Sequence, residues 1–313
     1  MATILITHGI PTAGLELLSG HEIIIPAHLT AFTMEELMAL IPKADAVIAG
    51  GKLPGDVIRA GKKLRIIANY GAGYDGVDIA AAAACGVPVT NIPETVTDAT
   101  AELAIGLLLA VSRRIGEMNL RLRCEDSTNL FGMGRYMGNT LRGRTLGIIG
   151  CGRIGGRVAE MAKALGMRVL AYSRRPVPAH VAEYTALPTL LATADVISLH
   201  CPSTPETRHL LDAAAFAQMK DGALLINTAR GAVVDHDALA DALRSGKLAG
   251  AGLDVFPEES RIPAELLAMD NVVCTPHVGT NTAQTRADMA AACARQILDA
   301  LVGKRPENIV NGI

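Results

Sequence analysis

TLGIIGCGRIGGRVAEMAKALGMRV, residues 145–169, runs from an apolar strand through a glycine-rich turn into a helix and out to a second strand. Gly150, Gly152 and Gly155 fall at G-x-G-x-x-G spacing. The first permits a tight turn, the second lets a pyrophosphate approach the backbone, and the third lets helix pack on strand. The helix opens at Arg153, so phosphates would meet the amides of Arg153, Ile154 and Gly155 at its positive end. Arg153 itself reads either as a solvent-facing helix residue or as a phosphate contact. A lone glycine motif is weak. Here it stands inside a correct strand–turn–helix–strand unit, which favours a dinucleotide site over a merely structural turn.

In such units the residue about 20 positions beyond the turn is usually Asp or Glu, accepting hydrogen bonds from the adenosine ribose. This chain has LAYSRRP at 170–176, with Ser173, Arg174 and Arg175 in that place. A carboxylate there would repel a 2′-phosphate. Ser173 removes the repulsion, and the arginines can add charge-assisted hydrogen bonds. NADP is therefore expected ahead of NAD. The plain alternative is a polar loop with two solvated arginines.

Outward from this segment, both halves alternate short apolar runs with helical stretches, the pattern of parallel α/β sheets. Strands are expected at 3–7, 21–25, 45–50, 65–69 and 87–91 in the first half. Six more, TLGIIG, MRVLAY, DVISLH, GALLINT, AGAGLDV and NVVCT, make a doubly wound sheet of Rossmann type in the second. Between the halves, Thr95 and Asp98 read as a capping pair before a helix apolar on nearly every face, to be buried between layers or subunits. The last helix, from about Thr282 to Leu301, precedes ENIVNGI, which is expected to return to the first domain. One domain is thus 1–98 with 285–313, the other 99–284, and the chain crosses twice.

Bulk properties narrow the function. A chain of 313 residues exceeds one compact core. The net charge of −2, with acids and bases interspersed, lacks the basic face that nucleic acid requires. Six scattered cysteines show neither zinc spacing nor a disulfide framework. The start MATILITHG has no signal-peptide form, and LAIGLLLAV at 103–111 is about half the ~20 residues of a membrane span. A cytoplasmic protein without nucleic-acid, membrane or metal partners is expected.

Ligands in doubly wound sheets bind beyond the carboxyl ends of the strands. Three ends carry reactive groups: Arg230 after GALLINT, Asp254 and then Glu259 in GLDVFPEES, and His277 in TPHVGT. This set suits reduction of a 2-oxoacid. Arginine can fork onto the carboxylate and polarise the oxo group. A protonated histidine held by a carboxylate can deliver the proton that accompanies hydride transfer.

NYGAGYDGVD (69–78), GCGRIG (150–155), INTARG (226–231), GLDVF-x-x-E (252–259) and TPH-x-G (275–279) together resemble the D-isomer-specific 2-hydroxyacid dehydrogenase family, its glyoxylate/hydroxypyruvate reductases included, in order along essentially the whole chain. The resemblance implies a Rossmann-type domain inserted into a flavodoxin-like α/β substrate domain, and a homodimer built around region 98–130. It implies that Arg230 binds substrate, Glu259 orients the histidine, His277 is the acid/base, and Asp254 faces the nicotinamide carboxamide. The backbone of Ala72 and Gly73 would receive the substrate carboxylate. Further cofactor contacts would come from Cys201, Pro202, Thr228, Ala229, His277 and Gly279. Two positions depart from the family pattern. Ser260 follows Glu259 where Pro is common, with Glu258 as a rival for the histidine, and Phe131 stands near a common Trp.

Plainer roles stand beside these. The plain alternative for Arg230 is a loop cap, and for His277 after Pro276 a packed loop histidine. His200 in LHCP is structural or a cofactor contact; Tyr74 and Asp75 shape a turn; Lys52 reads as a solvated loop residue. The expected activity is NADPH-preferring reduction of glyoxylate and hydroxypyruvate to D-2-hydroxyacids. Formate dehydrogenases pair the histidine with Gln, which Glu259 disfavours. A phosphoglycerate- or phosphite-type dehydrogenase, or a nucleotide-sensing co-repressor-like module, are the alternatives; the end at Ile313 lacks the regulatory extension of many phosphoglycerate enzymes.

Overall fold

Strands buried on both faces read as unbroken apolar runs, the mark of a parallel sheet covered by helices on either side. The structure, a computed structural model, describes residues 1–124, 130–259 and 261–313. Residues 125–129 of region 98–130, and Ser260, lie outside the described residues. Two compact units result: Met1–Val96 with Thr280–Ile313, and Thr97–Gly279.

The first unit holds β1 (Thr3–Ile6), β2 (Glu22–Ile24), β3 (Ala46–Ala49), β4 (Ile66–Asn69) and β5 (Val89–Thr90), with α1 (Met34–Leu40), α2 (Gly55–Ala60) and α3 (Ile79–Ala84) between them. All strands pair in parallel in the order β2-β1-β3-β4-β5, the flavodoxin-like winding. Alternate residues face opposite cores: Ile4, Ile6, Ile48 and Ile66 on one side, Leu5, Val47, Ile67 and Val89 on the other. The segments 21–25 and 87–91 shorten to β2 and β5. Both stand at the ends of the strand order, and β5 also meets the C-terminal segment through an isolated antiparallel bridge of Thr90 with Ile309.

The second unit opens with α4 (Thr97–Ser112) and α5 (Ile115–Cys124). Then follow β6 (Thr145–Ile149), α6 (Arg153–Ala164), β7 (Arg168–Tyr172), β8 (Glu183–Tyr184), α7 (Leu187–Thr193), β9 (Val196–Leu199), α8 (Ala213–Gln218), β10 (Ala223–Asn227), α9 (His236–Arg244), β11 (Leu248–Leu253), α10 (Ala264–Leu267) and β12 (Val272–Cys274). Their order is β12-β11-β10-β9-β6-β7-β8. It reverses beside β6, which makes the glycine turn the topological switch point. β8 is a seventh strand beyond the six read from sequence. Its two exposed residues pair with Leu170 and Ala171, and so short a run carries no apolar signal.

α4 explains its own composition. A Cβ at Gly252 of β11 would lie 2.9 Å from Leu107 Cβ, and one at Gly250 2.8 Å from Val111 Cγ1, so strand glycines let the helix close on the sheet. Its Ala101, Ala104 and Leu108 join the core that also holds Val158 and Ala159 of α6, leaving few faces for water. The expected Thr95–Asp98 cap does not form. The helix begins at Thr97, and Asp98 instead accepts from Arg157 Nε at 2.8 Å, reaching across to α6.

The chain returns to the first unit through α11 (Ala283–Leu301), capped where Thr282 Oγ1 accepts from Thr285 N. The C-terminal segment then bonds β5: Val310 N donates to Val89 O at 2.8 Å, and Asn311 accepts from Val89 N at 3.0 Å. No helix among the described residues is long and apolar enough to cross a membrane.

Candidate active site

At the carboxyl end of β6, Gly150 adopts φ +94°, and a Cβ there would lie 2.5 Å from Cys201 N. A Cβ at Gly155 would lie 2.5 Å from the Gly150 carbonyl oxygen. Nothing lies within 4 Å of the corresponding position at Gly152. Two glycines therefore meet neighbouring backbone, while the middle one opens onto space at the start of α6, where Gly152 caps the helix with no side chain. A dinucleotide pyrophosphate fits that arrangement: the first amides of α6 have no intrahelical acceptor, and the Gly152 position beside them is open.

At the end of β7, Ser173 Oγ donates to the Arg175 carbonyl at 2.5 Å, and Tyr184 Oη donates to the Ser173 carbonyl at 3.3 Å. These bonds fold the loop into a tight turn that presents Arg174 and Arg175 exposed. At the end of β9, Cys201 is buried, and burial pushes its thiol up to about 11, so it remains protonated. Any contact it makes to a cofactor is through its backbone or an uncharged sulfur.

The ends of β11 and β12 form one unit around Asp254, which is 1 % exposed. Its Oδ1 accepts from Thr275 Oγ1 at 2.6 Å and from Val278 N at 2.8 Å; Oδ2 accepts from Gly279 N at 3.0 Å. Its carbonyl accepts from His277 N at 2.9 Å. This clamp encloses a strained residue, because His277 itself has φ +52°, a conformation that costs a residue with a Cβ about 1–2 kcal/mol. The imidazole then projects so that Nδ1 meets Glu259 Oε1 at 2.5 Å. Of the two adjacent glutamates it is Glu259 that reaches the ring; the Glu258 carbonyl accepts from Arg261 N. About half of each side chain of the pair is exposed, so solvent can exchange protons with it.

Arg230 follows β10, and its loop is fixed from beneath by fully buried Asn227. Asn227 Oδ1 accepts from Ala229 N and its Nδ2 donates to the Arg230 carbonyl, both at 3.0 Å. Arg230 Nη1 donates to the Ala229 carbonyl at 2.7 Å. The next residue ties this loop to the glutamate loop: a Cβ at Gly231 would lie 2.0 Å from the carbonyl carbon of Phe256. Arg230 and Glu259 thus ride on backbones in direct contact.

Ala72 and Gly73 belong to the first unit, in the loop after β4. Asn69 Nδ2 donates to the carbonyls of Gly71 (3.0 Å) and Gly73 (2.9 Å), and Asn91 Nδ2 donates to the Ala72 carbonyl at 2.7 Å. Three successive carbonyls are tied down by side-chain amides. None of these bonds uses the N–H of Ala72 or Gly73, which is the polarity an anion site needs. Sequence reading missed Asn69 and Asn91, although Asn69 opens the NYGAGYDGVD motif. Lys52, after β3, is exposed.

A phosphate cradle and an imidazole–carboxylate pair on one sheet edge are the equipment of a nicotinamide-dependent oxidoreductase. Residues 105–279 match the D-isomer specific 2-hydroxyacid dehydrogenase, NAD binding domain. The chain is 41% identical over 318 residues to the glyoxylate reductase of Thermococcus litoralis, covering 98% of this chain and 96% of that protein. It is 42% identical over 258 residues to the hydroxypyruvate reductase of Thermotoga maritima, covering 80% and 83%. Among solved structures it resembles the NADPH-dependent glyoxylate/hydroxypyruvate reductase of Sinorhizobium meliloti in complex with NADP and malonate. The TM-score is 0.87 at 32% identity, over 99% of this chain and 96% of that one. The chain belongs to the D-isomer-specific 2-hydroxyacid dehydrogenase family.

Proposed function

We propose that the protein reduces small 2-oxoacids, glyoxylate and hydroxypyruvate foremost, to D-2-hydroxyacids with NADPH in preference to NADH. The observation that carries this reading is the 2.5 Å contact between His277 Nδ1 and Glu259 on the sheet edge that holds the glycine turn. When bound, the reduced nicotinamide supplies the hydride that adds to the 2-oxo carbon. His277, as imidazolium, gives its proton to the oxo oxygen, and Glu259 holds that ring and stabilises its charged form. Solvent restores the proton afterwards, since the pair is half-exposed. Arg230 anchors the carboxylate end and polarises the carbonyl, and the N–H groups of Ala72 and Gly73 donate to the carboxylate.

Cofactor contacts are assigned to the turn Gly150–Gly155 and to Cys201, Pro202, Thr228, Ala229, Asp254 and Gly279. NADPH preference rests on Ser173, Arg174 and Arg175, whose exposed guanidiniums suit a 2′-phosphate. The NADPH-dependent S. meliloti relative supports the same choice. Within the two units, Met1–Val96 with Thr280–Ile313 serves the substrate and Thr97–Gly279 the dinucleotide. Ile115, Leu120 and Leu122 on α5, with Phe131 and Met137 beyond it, are exposed apolar side chains. They support a homodimer interface through this region, which sedimentation at micromolar concentration checks.

Steady-state turnover across a panel of 2-oxoacids with NADPH and NADH tests the proposal. Glyoxylate and hydroxypyruvate should head the ranking. Exclusive turnover of 3-phosphohydroxypyruvate, or nucleotide binding without turnover of any 2-oxoacid, would replace it.

A further inference from the structure

One titratable side chain at this edge has no place in the mechanism above. His200 follows β9, between the turn of β6 and the Arg230 loop of β10. Its N–H donates to the Ile149 carbonyl at 2.8 Å, and Gly150 approaches its backbone so closely that a Cβ would lie 2.7 Å from the His200 carbonyl carbon. The ring spans two elements. Nε2 meets Ser198 Oγ of β9 at 2.8 Å, and Nδ1 meets Thr228 Oγ1, just past β10, at 3.4 Å. The strand ends carrying the glycine turn, Cys201–Pro202 and Thr228–Arg230 therefore converge on one residue.

We propose that His200 is a positioning residue, whose imidazole bridges Ser198 and Thr228, sets the direction of the Thr228 hydroxyl and thereby holds the Thr228–Arg230 loop for substrate and cofactor. The inference rests on the function proposed above. A neutral imidazole has one donor and one acceptor nitrogen, so whichever tautomer is present fixes the roles of both hydroxyls. Burial pushes His200 down to about 4, which keeps the ring neutral at physiological pH, with one nitrogen donating and the other accepting. From Thr228 the order passes to Arg230 through Asn227, whose side chain bonds both Ala229 and Arg230. Ser198 and Asn227 are themselves 2 % and 0 % exposed, so the frame behind the ring does not move with solvent.

Two substitutions separate the ends of the ring. Asn puts a polar atom where Nδ1 stands and keeps the link to Thr228; Gln puts one where Nε2 stands and keeps only the link to Ser198. His200→Gln should lower kcat/KM for glyoxylate by about tenfold, the scale of one lost coupling, and His200→Asn should recover most of it. Thr228→Val should lose a similar amount, and His200→Gln/Thr228→Val no more than either alone. The pH–rate profile should keep its shape in both His200 variants, because the titrating acid lies elsewhere. Additive losses in the cycle, equal damage from Asn and Gln, or a shifted pH limb would overturn the assignment. If His200→Gln does not accumulate as folded protein, Ser198→Ala with Thr228→Val forms the same cycle through the other end of the ring. If the parent enzyme reduces no 2-oxoacid, the functional reading fails by itself. The cycle is then read in the NADPH dissociation constant, where additivity again overturns the role of His200.

Discussion

Replacing Asp254 with Asn removes one negative charge and almost no volume, so it tests whether this carboxylate holds the His277 loop in place. Three donors converge on it: Thr275 Oγ1, Val278 N and Gly279 N. With the Asn oxygen in the Oδ1 position, its NH₂ faces Gly279 N–H, and one buried donor loses its acceptor at about 1–3 kcal/mol. The two surviving bonds fall from the charged to the neutral range, about 1 kcal/mol each. The total, about 3–5 kcal/mol, exceeds the ~1–2 kcal/mol of strain at His277 that the clamp opposes. Backbone hydrogen exchange at Val278 and Gly279, measured without cofactor, reads this locally. Protection should fall by roughly 10²–10³ in Asp254→Asn, at 1.4 kcal/mol per decade, and by ~10–10² in Thr275→Val. Turnover should fall in the same order. Unchanged protection in Asp254→Asn, with loss confined to cofactor affinity, would refute the clamp and leave the carboxylate a cofactor ligand only.

Other expectations follow from the same edge. His277→Ala should lower turnover by ~10²–10⁴ with nucleotide binding retained, and Glu259→Gln should shift the pH–rate profile where Glu258→Gln does not; kinetics against pH decide both. Arg174→Ala should reduce kcat/KM with NADPH far more than with NADH, from a parent preference of tenfold or more (~1.4 kcal/mol); a parent enzyme that prefers NADH would contradict this. His200 is held near 4 in the folded state against an ordinary 6.5, so the unfolded chain binds the extra proton between those values. This titration therefore contributes nothing above pH 6.5 and destabilises the folded state progressively as pH falls toward 4, by about 3 kcal/mol at most. Urea unfolding of the parent and His200→Asn across that window measures it, and identical slopes would contradict it.

The parallel sheets were readable in the sequence because burial on both faces leaves nothing but apolar runs, and the strand ends marked where chemistry could sit. What stayed illegible depended on offsets of one residue or on single polar side chains. Glu258 and Glu259 are chemically identical in sequence, and only the path of the loop brings one to Nδ1. Asn69 and Asn91 look like ordinary turn residues until three carbonyls are seen to point at them. Asp98 reads as a cap partner because local rules cannot anticipate Arg157, 59 positions on. The same limit hid the Asp254 clamp, whose three donors lie 21–25 residues downstream. β8 escaped notice because two exposed residues carry no periodicity.

The strand order of the larger sheet also acts as a ruler. From β7, which Ser173 and the two arginines follow, to β12, which His277 follows, the sheet advances five strands. At ~4.8 Å per strand this is roughly 24 Å, about three Debye lengths at physiological ionic strength. A charge altered at Arg174 is thus electrostatically remote from the imidazole proposed as the acid. On the proposed reading, cofactor choice and acid–base chemistry can drift, or be engineered, as independent variables, which a scaffold with both groups on neighbouring strands would not allow.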